Sequence, residues 1–195
     1  MARIFQSPEV LRLEREHISF ATGARAPAKY TTRELIRLEA GMASRATWLS
    51  RCSSHGVRQR VLDGTFSRHT KLSQEQRTAI EHVAAGGERV TAVVGRAGAG
   101  KTTMMKAARE AWEAAGYRVV GAALAGKAAE GLEKEAGIAS RTLSSWELRW
   151  GQQRDRLDNK TVFVLDEAGM VSSRQMAMFV EAVTKAGAKI VLVGD

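Results

Sequence analysis

An α/β fold, with a parallel β-sheet covered by helices on both faces, is predicted for this 195-residue chain by two apolar runs and by what surrounds them. The first run, Val90-Thr91-Ala92-Val93-Val94, passes directly into a glycine-rich loop at residues 95–103. The second, Thr161-Val162-Phe163-Val164-Leu165, ends on two carboxylates, Asp166 and Glu167. From Leu72 onward strand-like and helix-like patterns alternate. That alternation implies parallel strands, because each return to the same strand direction needs a crossover.

The elements of this region can be justified in order. Leu72-Ser73-Gln74-Glu75-Gln76 sets a cap before a helix carrying Ile80 and Val83, and Ala85-Gly86-Gly87 ends it. After the strand Val90–Val94, the spacing predicts helices over about 101–115, 127–136 and 143–150, with a strand over 118–123. The strand Thr161–Leu165 follows. Ser172 or Ser173 then caps a helix with Met176, Phe179, Val180 and Val183 on one face, and residues 189–193 form the last strand before Gly194-Asp195.

Residues 1–70 read differently, as a helical appendage and linker to a domain at 71–195. Helical spacing occurs over 7–20, through Val10, Leu11, Leu13 and Ile18, and over 31–50, through Leu35, Ile36, Leu38, Met42 and Leu49. Thr31 and Glu34 offer a capping box for the second of these helices. Between them, residues 22–29 contain Gly23 and Pro27 and read as a linker. Residues 51–70, polar and basic, read as a mobile joint or as a short helix around 57–62.

Composition narrows the class. With 44% hydrophobic residues the chain can bury one good core, and 18 glycines with 2 prolines exclude a low-complexity chain. A single cysteine, Cys52, excludes a disulfide scaffold and reads as a packed thiol in a reducing compartment. His17, His55, His69 and His82 show no metal-ligand spacing. No apolar run approaches the roughly 20 residues that span a bilayer, and the amino terminus lacks an apolar signal core. A cytoplasmic protein without membrane insertion is therefore expected. The net charge of +9 points to a polyanionic partner, nucleic acid above all, against the plainer reading of a solvated basic surface. Residues 1–70 hold most of the excess, with 12 basic and 6 acidic side chains against 18 and 15 in the rest.

The chemistry resides in the loop and the two acids. The spacing of Gly95, Gly100, Lys101 and Thr102 matches the Walker A pattern. Gly95, Gly98 and Gly100, with Ala99 between them, let successive amides turn inward on phosphate oxygens. The helix that begins near Lys101 and runs through Thr103 points its positive end at the same anion. Lys101 is expected to bridge the β- and γ-phosphates of ATP, and the Thr102 hydroxyl to ligate Mg2+. A ligand-free glycine turn is the bland alternative. Against it stands the second motif, a Walker B strand whose Asp166 would hold the metal and whose Glu167 would orient and deprotonate the attacking water.

At these residues a resemblance appears. Gln76 in LSQEQ, the loop GRAGAGKTT, residues 121–147 (GAALAGKAAEGLEKEAGIASRTLSSWE), FVLDEAGMV and the final VLVGD resemble the first motor domain of superfamily 1 helicases. The likeness is greatest to TraA-type conjugative relaxases, whose helicase half is RecD-like. It covers residues 72–195 closely and the stretch from Tyr30 to Glu34 more loosely. It implies a RecA-like P-loop ATPase sheet, preceded by a small helical segment, in the order second strand, Walker B strand, last strand, Walker A strand. The Walker A strand would then lie at an open edge.

The resemblance also implies roles. Gln76 falls where the family reads adenine, although by residue type alone it is an ordinary surface helix residue. Gly126, Lys127 and Thr142 fall on the family's track for single-stranded DNA, whereas Lys127 by itself reads as a solvated helix lysine. Trp146 and Trp150, four apart on a helix, favour core packing over base stacking. Residues for a γ-phosphate-sensing glutamine, for a second RecA-like domain and for a relaxase domain are not in this sequence, so a fragment is expected that binds nucleotide, hydrolyses it weakly and does not unwind DNA. The complete protein would couple hydrolysis to translocation along single-stranded DNA in conjugal transfer. A RecD-like repair helicase lobe and a nucleotide-switched binding module are the alternatives.

Overall fold

The computed structural model of the protein describes residues 10–12, 30–96 and 98–194. Strand β1 (Val10–Arg12) pairs antiparallel with β2 (Tyr30–Thr32), and β2 runs into helix α1 (Arg33–Arg51). Then come α2 (Gln59–Arg68), α3 (Gln74–Ala84), β3 (Val90–Val94), α4 (Lys101–Ala114), β4 (Arg118–Ala123), α5 (Gly126–Ala136) and β5 (Ala139–Thr142). Helix α6 (Leu143–Gly151), β6 (Thr161–Leu165), a short 3-10 turn at Ala168–Met170, α7 (Ser173–Ala186) and β7 (Lys189–Gly194) complete the described chain.

Five of the strands form one parallel sheet in the order β3-β7-β6-β4-β5. The four strands expected by resemblance are in the expected order, with β3 at one edge. The inner strands β4, β6 and β7 are buried on both faces, which explains why β6 reads as an unbroken apolar run. Val162 and Val164 point into one core cluster with Ile80 and Val83 of α3, Met105 and Trp112 of α4 and Leu132 of α5. Phe163 and Leu165 point the other way, to Leu49 of α1, Trp146 of α6 and Phe179 and Val183 of α7. All five β6 residues are buried, and a side chain such as Phe163 contributes about 1.5–3 kcal/mol by leaving water.

Trp146 and Trp150 pack into the core rather than offering a stacking face. Trp146 packs edge-on against Phe163 at 5.4 Å, and its indole N–H donates to the Gly121 carbonyl at 2.9 Å. Trp150 lies 5.0 Å from Phe179 and donates to the Asp155 carbonyl at 3.1 Å.

Several boundaries differ from expectation. Residues 10–12, expected within a helix over 7–20, are extended because they pair with β2. The rest of that helix, His17, the linker at 22–29, Ala97 and Asp195 lie outside the described residues. The cap of α1 is Thr32, whose hydroxyl accepts from the Leu35 N–H at 3.1 Å, because β2 keeps the chain extended through Thr32 and the helix begins only at Arg33. Of the two readings of 51–70 the helix is found, longer than expected, with Leu62, Thr65 and Phe66 buried. The segment before it is tied down: the Ser54 and His55 N–H groups donate to the Gly87 carbonyl at 3.0 and 3.1 Å. Strand β5 has no counterpart in the sequence reading. Its Ser140, Arg141 and Thr142 carry no apolar alternation, and it forms by adding to the edge of β4. No helix among the described residues is long and apolar enough to cross a membrane.

Candidate nucleotide site

In a parallel α/β sheet the loops that follow the strands collect at the carboxyl end, and ligands settle there. The loop after β3 and the turn after β6 meet at that end around a cavity of about 650 Å³. Gly98, Gly100, Lys101, Thr102 and Thr103 form one wall, and Asp166 and Glu167 form another, with Gly194 from β7. Gly95 and Ala99 are not part of the wall. The Gly95 N–H donates to the Gly194 carbonyl at 3.1 Å, and the Ala99 N–H to the Arg96 carbonyl at 3.1 Å, so both shape the loop.

Gly98 and Gly100 have φ of 79° and 76°, which a side chain disfavours. Gly100 also caps α4, and it has no side chain to offer the first turn. The amide end of a 14-residue helix thus opens on the cavity. The Lys101 ammonium folds back over the loop, donating to the Gly95 carbonyl and, at 3.4 Å, to the Arg96 carbonyl.

Across the cavity the backbone is held in an unusual shape. Glu167 has φ 53° and ψ 36°, a left-handed conformation that costs a non-glycine residue about 1–2 kcal/mol. Asp166 holds it there: its carboxylate accepts the Glu167 N–H at 3.0 Å, while its own N–H donates to the Ala122 carbonyl of β4 at 2.8 Å. The result aims two adjacent carboxylates outward from the end of a buried strand.

Gln76 sits beside the loop rather than in the cavity wall. Its side-chain oxygen accepts the Ser73 N–H at 2.9 Å, and its amide NH2 donates to the Gly100 carbonyl at 3.2 Å and the Ala99 carbonyl at 3.5 Å. A second cavity of about 410 Å³ adjoins the first through Thr102, Thr103 and Glu135, and is walled by Arg68, Lys71, Leu72 and Lys106. At its side His69 bonds Glu110 at 2.8 Å. Burial works to raise the Glu110 carboxyl, but the His69 hydrogen bond and the nearby His69, Arg109 and Arg68 charges outweigh it and hold it below its usual value.

Gly126 and Lys127 begin α5, exposed, after β4 and so at the same end of the sheet but outside both cavities. A side chain added at Gly126 would meet nothing within 4 Å. The Thr142 hydroxyl caps α6, accepting the Ser145 N–H at 3.3 Å. Glu135, Gly169 and Met170 also line the main cavity, and sequence reasoning missed them. For Glu135 there was no signal, since α5 brings it there by packing. Gly169 and Met170 follow the two acids directly, and their nearness to Asp166 was the available clue. Among the described residues no three His, Cys, Asp or Glu side chains gather as a metal cluster.

Comparison with known proteins agrees with this geometry. The chain is 82% identical over its whole length to the probable conjugal transfer protein TraA of Sinorhizobium fredii, of which it spans 18%. It is 33% identical over 135 residues, 64% of its length, to the multifunctional conjugation protein TraI of Escherichia coli, of which that covers 8%. Over 129 residues, again 64% of the chain and 18% of the relative, it is 32% identical to the ATP-dependent RecD2 DNA helicase of Deinococcus radiodurans. The expected likeness to TraA-type and RecD-like proteins is thus found. The AAA domain family matches residues 71–195, the stretch that carries the phosphate loop, the paired acids and the whole parallel sheet, and through it the chain belongs to that family.

Proposed function

We propose that this chain is the ATP-binding motor lobe of a conjugative relaxase-helicase, which in the complete protein couples hydrolysis to movement along single-stranded DNA and its unwinding during plasmid transfer. One observation carries the reading: the glycine loop with Lys101 and Thr102 and the acid pair Asp166–Glu167, far apart in sequence, line one cavity at the carboxyl end of the sheet. The similarity to TraA and TraI supports the conjugative setting. A cytoplasmic home follows from the use of ATP and of a DNA strand about to be transferred.

The cavity fits Mg2+ with a triphosphate. Thr102 supplies a hydroxyl and Asp166 a carboxylate, the hard oxygen donors that Mg2+ prefers, and both line the same space. When bound, the metal would neutralise phosphate charge. The Lys101 ammonium would exchange the Gly95 and Arg96 carbonyls for phosphate oxygens, and the amides of the loop and of α4 would hold the rest of the anion. Glu167 would accept a proton from water at its exposed carboxylate. Gly126 and Lys127 would meet a DNA phosphate through backbone amide and ammonium, with Thr142 continuing the track. A second RecA-like domain and a relaxase domain would complete the machine. An arginine supplied by that second lobe would be worth about 10³- to 10⁵-fold in the rate of hydrolysis, as in related chemistry.

Replacing Lys101 with Ala tests the reading. The variant should lose binding of a fluorescent ATP analogue by at least about 100-fold, and unchanged affinity would remove the assignment. The similarity to the RecD2 helicase supports a repair lobe as the second reading. A histidine cluster and a catalytic tyrosine encoded upstream in the complete gene would decide for the relaxase.

A further inference from the structure

We propose that the groove between the loop before β6 and the carboxyl end of α7 is a docking site for an acidic segment of another protein, which inserts one large apolar side chain flanked by carboxylates. The groove measures about 430 Å³ and is lined by Trp150, Arg156, Leu157, Ala182, Lys185 and Ala186. It lies at the amino end of the sheet, because the loop leads into β6 and α7 leads into β7. The nucleotide cavity is at the opposite end.

The floor is apolar and fixed from behind. Trp150, half-buried, tilts against Phe163 at 5.9 Å and Phe179 at 5.0 Å. Ala182 and Ala186, one turn apart on α7, leave a recess that longer side chains would fill. Leu157 borders it, half-exposed. An aliphatic recess of this kind takes a side chain, whereas a nucleic-acid base needs a flat aromatic face, and the Trp150 ring is packed among its neighbours.

The loop that presents Arg156 and Leu157 has an unusual backbone. Gln153 and Asp155 have φ of 60° and 49°, and among the described residues the one other non-glycine residue with positive φ is Glu167, at the nucleotide cavity. Such a conformation persists where surrounding contacts over-determine it. Here the Gln153 and Arg154 N–H groups donate to the Trp150 and Arg149 carbonyls at 2.9 and 2.8 Å, the Trp150 indole to the Asp155 carbonyl at 3.1 Å, and Arg118 to the Arg156 carbonyl at 3.1 Å. The loop is therefore set before a partner arrives, which lowers the ordering cost of binding.

Charge selects the partner. Over residues 149–160 the basic side chains Arg149, Arg154, Arg156 and Lys160 stand against Asp155 and Asp158. Both acids are occupied. Asp155 pairs with Arg149 and, at 3.7 Å, with Arg141, and the Asp158 carboxylate accepts the Thr161 hydroxyl at 2.6 Å and the Lys160 N–H at 3.0 Å. Arg156 is exposed and has no ion-pair partner among the described residues. On the facing wall the Lys185 side chain is 75% exposed and holds Glu181 at 2.6 Å. An exposed pair of this kind is worth little, and Glu181 keeps Arg45 at 4.0 Å when Lys185 turns to a guest. A cation on each wall with an apolar floor between them complements the order carboxylate, apolar side chain, carboxylate.

Three labelled peptides test the site by fluorescence anisotropy with the 195-residue chain: Ser-Asp-Asp-Phe-Asp-Asp-Ser, the same peptide with Ser for Phe, and the same with Asn for every Asp. The first should bind with a Kd of about 10–100 µM, and each control at least about 10-fold more weakly. Heteronuclear NMR should show its binding as shifts of the Trp150 indole and of the Leu157 and Ala186 amides. Arg156→Glu should weaken the first peptide about 5-fold or more, and Ala182→Gln, which fills the recess and removes no charge, about 10-fold or more, with thermal melting as in wild type. Should Ala182→Gln melt early, Arg156→Glu on its exposed loop still decides. Equal binding of the Ser control, unchanged affinity in Arg156→Glu, or no binding up to about 1 mM would overturn the proposal. Shifts at Gly98, Lys101 and Thr102 in place of the groove would show the peptide acting only as an anion on the phosphate loop, and would overturn it too. So would a labelled single strand that loses affinity in both variants while the peptide does not, since the groove would then serve nucleic acid.

Discussion

Glu167 and His55 show how single residues carry conformational or electrostatic cost. Glu167 is left-handed, held by the Asp166 carboxylate, at the lip of the cavity. Glu167→Gln keeps the shape and removes the base: Mg-ATP affinity should stay within about 3-fold while steady-state hydrolysis falls by about 100-fold or more, read by phosphate release. His55, 1% exposed, is stacked on Tyr117 at 5.1 Å, and its Nε2 has no hydrogen-bond partner among the described residues. Burial first, then the Lys189, Arg89 and Lys160 charges, push its pKa from 6.5 down to about 4, against a small opposing contribution from the Asn159 backbone. The unfolded chain takes up the proton at the higher pH, so the contribution of neutral His55 is whole above 6.5 and is lost as pH falls toward about 4. Thermal melting should show wild type losing about 1–3 kcal/mol more than His55→Asn across that interval. Lys189, fully buried with its ammonium donating to the Glu88 carbonyl, is pushed from 10.5 to about 8 by burial, against the Glu88 charge. Its sign is the same: the folded state releases the proton first, so stability again rises with pH, here from about pH 8 toward 10.5. Lys189→Met should remove that rise.

At the scale of elements, the carboxyl end of α7 depends on a side chain from another part of the chain. Arg89 donates to the Ala188 carbonyl at 2.9 Å and to the Val183 and Thr184 carbonyls at 3.1 and 3.3 Å, with its guanidinium 5.1 Å from the Trp48 ring. A charged fork at a helix carboxyl end satisfies carbonyls that the helix cannot. Arg89→Met should therefore cost about 2–4 kcal/mol in urea unfolding, and Arg89→Lys somewhat less, since one ammonium cannot reproduce the fork. The contrast between β6 and β5 shows what an element reveals of itself. Five buried apolar residues announce β6, whereas β5 exists only because β4 offers it an edge. The caps follow the same division. Ser73 and Gln76 close their box within four residues, as their order in the chain suggests, while the α1 cap falls at Thr32 because pairing with β1 keeps the chain extended through that residue.

For the whole molecule, charge and edge exposure govern behaviour. Strand β3 borders the sheet with Ala92 exposed and Val94 78% exposed, and an unpaired edge of this kind invites another chain. Light scattering should show association that grows with protein concentration; a clean monomer at high concentration would contradict it. The net charge of +9 should make binding to labelled single-stranded DNA fall steeply with salt, and Lys127→Ala should weaken it a few-fold at every sequence. Local order in the chain was enough for the parallel α/β plan, for the two motifs and for most helices, since periodicity and motif spacing act over a few residues. The candidate site was legible to the extent that Lys101, Thr102, Asp166 and Glu167 belong to such motifs, and these do line one cavity. Only the tertiary structure decided that Glu135 enters that cavity, that Gln76 is seated on Gly100, that β5 forms and that His55 and Lys189 are buried. Each of these depends on which surfaces meet when distant segments pack, and a contact between distant segments leaves no periodic trace in either of them.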